Sequence, residues 1–98
     1  MYAVYDRGDA ALVQMEVEKW KEKDIWENDD PDSIKIKISK NGVVKVNDVD
    51  MTKQGSYKGF YFYIWQTKND DELGEYDVEI TTTFGSYSEI SKGVVVLK

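Results

Sequence analysis

The stretch that decides the fold is Gly59-Phe60-Tyr61-Phe62-Tyr63-Ile64-Trp65-Gln66-Thr67, with six large apolar or aromatic residues in succession from Phe60 to Trp65. Its aromatic composition favours extended structure, and a run this short suits a strand better than a helix. In an extended chain alternate side chains point to opposite faces, so Tyr61, Tyr63 and Trp65 share one side and Phe60, Phe62 and Ile64 the other. Both sides therefore need cover. One faces a core, and the other needs a flap of the same chain, a partner or a ligand, because an apolar strip of this size is unusual on a monomer.

Working outward, Ser33 to Lys40 alternates cleanly, with Ile34, Ile36 and Ile38 on one face and lysines on the other. Asn41-Gly42 then supplies the two positive-φ residues of a type I′ turn, and Val43 to Val46 returns as the hairpin partner. Tyr76, Val78 and Ile80 alternate with Asp77, Glu79 and Thr81 in a further strand. Gly85-Ser86 turns the chain, Tyr87 to Ser91 continues it, and Val94 to Leu97 closes it as an apolar strand. Ala11 to Lys19 sets Val13, Met15 and Val17 against Gln14, Glu16 and Glu18, a period-2 pattern that favours a strand. A helix placing Leu12, Met15 and Lys19 on one stripe is the competing reading. Met1 to Tyr5 is a short apolar opening, Asp6 to Asp9 a turn, and Asn47 to Lys58 a connection. Trp20 to Asp32 is acidic, ends in a Pro-containing loop, and holds Trp20, Ile25 and Trp26 as its large apolar groups.

The chain has 98 residues, no Cys, no His and a formal net charge of −6. That length predicts one domain spanning residues 1–98. The missing residue types exclude disulfides, thiol nucleophiles, imidazole bases and most transition-metal sites. Residues 1–33 hold ten acids against four bases, whereas residues 34–98 hold nine of each. With one arginine and no basic cluster, nucleic acid is not an expected partner. No apolar run of signal-peptide or membrane-span length opens the chain, so the expectation is a soluble domain without membrane insertion.

Turn-punctuated strands at this spacing predict an all-β fold, a two-sheet antiparallel sandwich of six to eight strands. Four features in order carry a resemblance: Gly8-Asp9 before the first long strand, Asp30 to Ser33 leading into the Ile-rich strand, the alternating Tyr-x-Tyr-x-Trp of Gly59 to Thr67, and Gly74-x-Tyr76-x-Val78. Together they resemble the small immunoglobulin-like domains of prokaryotic surface proteins and of phage or archaeal virus structural proteins. The acidic segment from Trp20 to Asp32 is longer than that family's usual linker, and its common Pro-Asp-Gly turn is here Lys40-Asn41-Gly42. The resemblance implies that Tyr61, Tyr63 and Trp65 face the core and that Tyr76 forms a tyrosine corner. It also implies a non-enzymatic structural or adhesion module working through protein contacts in a virion or cell-surface assembly.

On that assignment Phe60, Phe62 and Ile64 lie outward, covered by Trp20, Ile25 and Trp26 or by a protein partner or second copy. Phe60, Phe62, Ile64, Trp20 and Trp26 are thus the interface candidates. The alternative function is a carbohydrate-binding module with Trp20, Trp26 and Tyr87 as its stacking platform. Glu75, Asp77 and Glu79 share a strand face, which suits solvated acids better than a hydrolytic pair. No cofactor is expected, and the acidic loops read first as plain solvated loops; calcium is the alternative set against that reading. Its oxygen ligands would come from acidic loops gathered at one end of the sandwich: Asp29, Asp30 and Asp32 with neighbouring Glu27, and Asp70 and Asp71 with neighbouring Glu72. Arg7-Gly8-Asp9 spells an integrin-recognition tripeptide, but three-residue matches are common by chance and a turn before a strand explains the same residues.

Overall fold

The computed structural model describes residues 1–22 and 25–98. Among these every regular element is a strand: β1 (Tyr2–Tyr5), β2 (Ala10–Glu16), β3 (Glu18–Glu22), β4 (Ile25–Asn28), β5 (Ser33–Lys40), β6 (Val43–Asp50), β7 (Thr52–Lys53), β8 (Phe60–Gln66), β9 (Gly74–Phe84) and β10 (Tyr87–Leu97). Among the described residues no helix is long and apolar enough to cross a membrane. The strands form a five-stranded sheet in the order β1-β10-β9-β5-β6, a three-stranded sheet in the order β2-β8-β7, and the separate hairpin β3-β4.

The two larger sheets enclose one core. From the first come Ile34, Ile36 and Ile38 of β5, Tyr76, Val78 and Ile80 of β9, and Val95 and Leu97 of β10. From the second come Ala11 and Val13 of β2 and Tyr61 and Trp65 of β8, with Tyr63 half-buried against them. The period-2 alternation of each strand is what makes this possible, since it loads one face with apolar groups and leaves the other polar. The reading that sends Tyr61, Tyr63 and Trp65 inward agrees with this arrangement. Asn41 and Gly42 hold positive φ, 51° and 81°, in the two-residue turn between Lys40 and Val43, as their sequence predicts.

Several expectations need correction. The ten strands exceed the six to eight expected, and the pairing is not wholly antiparallel, because β1 runs parallel to β10 from Tyr2↔Val94 to Tyr5↔Leu97. The two short strands expected after Gly85-Ser86 are one strand. β10 follows β9 without a register break from Tyr87↔Phe84 to Leu97↔Gly74, so Lys92-Gly93 is carried through by its neighbour rather than forming a loop. Likewise β6 continues past Val46 to Asp50, with register shifts against β5 and a positive φ of 50° at Asp48. The irregularity hides it from a periodicity argument. The expected strand from Ala11 to Lys19 divides at Val17. β2 pairs with β8 in the three-stranded sheet, whereas β3 leaves to pair with β4.

Candidate functional site

Three backbone features root the β3-β4 hairpin. The Val17 N–H donates to the Gly59 carbonyl at 2.7 Å, and the Asp29 N–H donates to the Val17 carbonyl at 3.2 Å. Gly59 itself sits so close that a Cβ there would lie 2.6 Å from the Val17 carbonyl oxygen, and its φ is +83°. The hairpin therefore continues the line of β2 beyond the start of β8. Within it Trp20 and Trp26 are direct cross-strand partners, which places both indoles on one face. They stay 56% and 57% exposed.

The acidic loop that follows acts as a clasp. Asp30 Oδ1 accepts from the Gly59 N–H and the Tyr61 hydroxyl, both at 3.0 Å, and its Oδ2 accepts from Lys53 Nζ at 2.8 Å. The hydrogen bond from Lys53, followed by that from Gly59, holds the Asp30 carboxyl down at about 2. Burial, then the hydrogen bond to Asp30, pushes the Tyr61 phenol up to about 12. Asp29 Oδ1 accepts from the Asp30 N–H at 2.9 Å and lies 3.5 Å from Lys58 Nζ. Asp32 accepts from the Gly85 N–H and ties this loop to the β9-β10 turn.

The aspartates at the other end are engaged separately. Asp71, buried, accepts from the Lys68 N–H at 2.7 Å and pairs with Lys45 Nζ at 3.2 Å. Burial works to raise its carboxyl, but the Lys68 N–H and the Lys45 ammonium outweigh it and hold the group below the usual carboxylate range. Asp71 lies in the loop leading into Gly74, the start of β9, whereas Asp32 bonds Thr83 and Gly85 at its finish. Eleven residues of strand separate the two places, about 35 Å at the ordinary rise per residue. The acidic loops expected to gather at one end thus stand at opposite ends, with carboxylates of Asp29, Asp30, Asp32 and Asp71 turned to protein donors. Among the described residues no group of three His, Cys, Asp or Glu side chains is placed to hold a metal ion.

The apolar strip is partly open. On the outer face of the three-stranded sheet Phe60 and Phe62 are half-buried and Ile64 is 54% exposed, opposite Leu12 at 41%. The ring of Phe60 meets Tyr57 edge-on, centroids 6.4 Å apart. Ile64 and Leu12 leave the far end of the strip exposed, while Trp26 lines a groove. That groove, of about 370 Å³, opens between the ends of β2 and β10 and is lined by Val17, Glu18, Trp26, Thr82, Phe84 and Glu89, among others. Thr82 is 5% exposed, and its Oγ1 is buried with no hydrogen-bond partner among the described residues. Lys19 Nζ sits 5.6 Å from the centroid of Phe84, whose ring stacks on Tyr87.

Sequence reasoning missed the groove altogether. Glu89 and Ser91 lie outside any clean alternation, and only their register against Thr82 and Ile80 turns them toward the other sheet. Arg7-Gly8-Asp9 is tied down as a turn: Arg7 Nη1 donates to the Asp71 carbonyl at 3.3 Å and the Gly8 N–H to Thr67 Oγ1 at 2.8 Å. Comparison with protein-family models, with curated proteins and with solved structures finds no match for this chain.

Proposed function

We propose that this chain is a non-enzymatic, immunoglobulin-like module that works through protein–protein contacts in a structural or adhesive assembly such as a virion or cell surface. The observation that carries the reading is the exposed Trp20–Trp26 pair on a hairpin rooted beside the open strip of Phe60, Phe62 and Ile64. Tryptophan is enriched at the energetic centres of interfaces, and two exposed indoles side by side have little to do on an isolated domain.

The immunoglobulin-like assignment draws support from the sheet memberships. Taking β2, β5, β6, β7, β8, β9 and β10 as strands B, C, C′, D, E, F and G yields B-E-D facing G-F-C-C′, as in such sandwiches. The hydroxyl of Tyr76, near the start of β9, donates to the Glu72 carbonyl at 2.7 Å, the bond of a tyrosine corner. The β3-β4 hairpin then occupies the B–C connection, at the end of the domain that also carries the F–G turn. Solvation accounts for the acids of β9: Glu79 stands in register between Lys37 and Lys92 on the outer face.

The test combines partner capture with stability. Trp20→Ser, Trp26→Ser and Ile64→Ser should each keep the denaturation midpoint of the parent and lose binding to the partner or self-association seen in sedimentation. Undiminished association in all three variants overturns the reading. Quenching of tryptophan fluorescence by a neutral polysaccharide would instead favour the carbohydrate-binding alternative.

A further inference from the structure

We infer that the groove between β2 and β10 is a receptor for one cationic side chain, lysine or arginine, presented by the protein partner. The inference rests on the proposed function and names the chemistry at one of its contacts. Two independent observations meet here. The first is the unpartnered Thr82 Oγ1, a hydroxyl taken out of water at a place where none of the described residues bonds it. A buried polar group without a partner is costly; Thr82 lines the groove, so a turn of its side chain about χ1 that brings Oγ1 to the opening would let a ligand atom satisfy it.

The second is the character of the lining. Glu89 lies directly opposite Thr82 in the β9-β10 register, and Glu18 lies across the groove on β3. Among the described residues neither has an ion-pair partner, and no lysine or arginine lines the groove. Carboxylates only accept hydrogen bonds, while the hydroxyls of Thr82 and Ser91 can accept as well as donate. The groove therefore asks for a donor-rich occupant. A sugar brings acceptors as well as donors and would leave its own oxygens without amide or basic partners here. An ammonium or guanidinium has three or five N–H donors and no acceptor. It can donate to Glu89 and to Thr82 Oγ1 while the Thr82 hydroxyl turns its proton to the carboxylate. Trp26 supplies an aromatic wall for the alkyl stem and for a cation over a ring face, whereas the Phe84 ring is already taken by Lys19 and Tyr87.

The experiment is an NMR titration of the full chain with acetyl-lysine amide and acetyl-arginine amide, each against a neutral disaccharide. The expected result is a saturable shift of the Thr82, Glu89 and Ser91 amides and of the Trp26 indole N–H with the cations alone, weakened by added salt. Glu89→Gln should lower the affinity about tenfold, the worth of a charge-assisted bond. Thr82→Val should also weaken binding while leaving thermal stability unchanged or raised, since it removes an unsatisfied hydroxyl. No saturable shift, an equal response to the disaccharide, or full affinity in Thr82→Val would each overturn the inference. If the cations fail but Trp20→Ser and Trp26→Ser still lose the partner, the groove's role falls and the protein-contact reading stands.

Discussion

Trp65 of β8 and Tyr76 of β9 meet edge to face across the core, ring centroids 5.0 Å apart and planes at 63°, and this contact joins the two larger sheets. Tyr76 is anchored at its other end by the hydroxyl bond to Glu72. Removing only that hydroxyl, in Tyr76→Phe, should cost about 1 kcal/mol in denaturant unfolding. Trp65→Ala, which opens a cavity between the sheets, should cost about 3–5 kcal/mol. Equal costs for the two would show that the bond, rather than ring packing, dominates this joint.

The Asp30 clasp sets an acid limit. Its carboxyl titrates at about 2 in the folded chain against an ordinary 3.8. The folded state thus binds the proton less tightly than the unfolded state, and the stabilisation is complete above the ordinary value. It is lost as pH falls from about 4 toward 2. Asp30→Asn should flatten the stability profile in that window and leave its slope at neutral pH unchanged. A variant with the parent's acid midpoint would mean that the contacts with Lys53, Gly59 and Tyr61 do not bias titration.

Gly59→Ala tests the hairpin root. The new methyl would collide with the Val17 carbonyl in a backbone conformation that side chains disfavour, so a loss of more than about 1 kcal/mol is expected. Because Val17 is where β3 departs, the tryptophan emission should shift as well. Unchanged emission with a large stability loss would place the strain elsewhere.

The open strip predicts a graded response. Ile64→Ser, at an exposed position, should change stability by under about 0.5 kcal/mol, whereas Phe62→Ser, half-buried, should cost about 1–2 kcal/mol. Both should diminish association. A stability cost at Ile64 as large as at Phe62 would indicate that the strip is covered within the monomer.

Strands with one buried face were legible because burial writes itself into alternation. Ile34, Ile36 and Ile38 are the clearest case, and Asn41-Gly42 marks its turn by the positive-φ backbone geometry those two residues favour. The β3-β4 hairpin was illegible because its aromatics are not sorted by a core: Trp20, Ile25 and Trp26 remain exposed. The length of β10 was hidden for another reason. Lys92-Gly93 is polar and flexible by composition, yet Gly93 is held by Val78 on one side and by close approach to Met1 on the other. The groove depends on register between Thr82 and Glu89, information that lies in the pairing of two strands and in neither alone.

The parallel pairing of β1 with β10 also governs how the domain carries force. Tyr2 to Tyr5 and Val94 to Leu97 run in the same direction, so tension applied at residue 1 and residue 98 pulls the two strands past each other along their length. Their hydrogen bonds are then loaded together rather than opened one after another as in a peeled hairpin. A tether built from such a module resists stretching at the first strand, before the packed sheets behind it feel the pull.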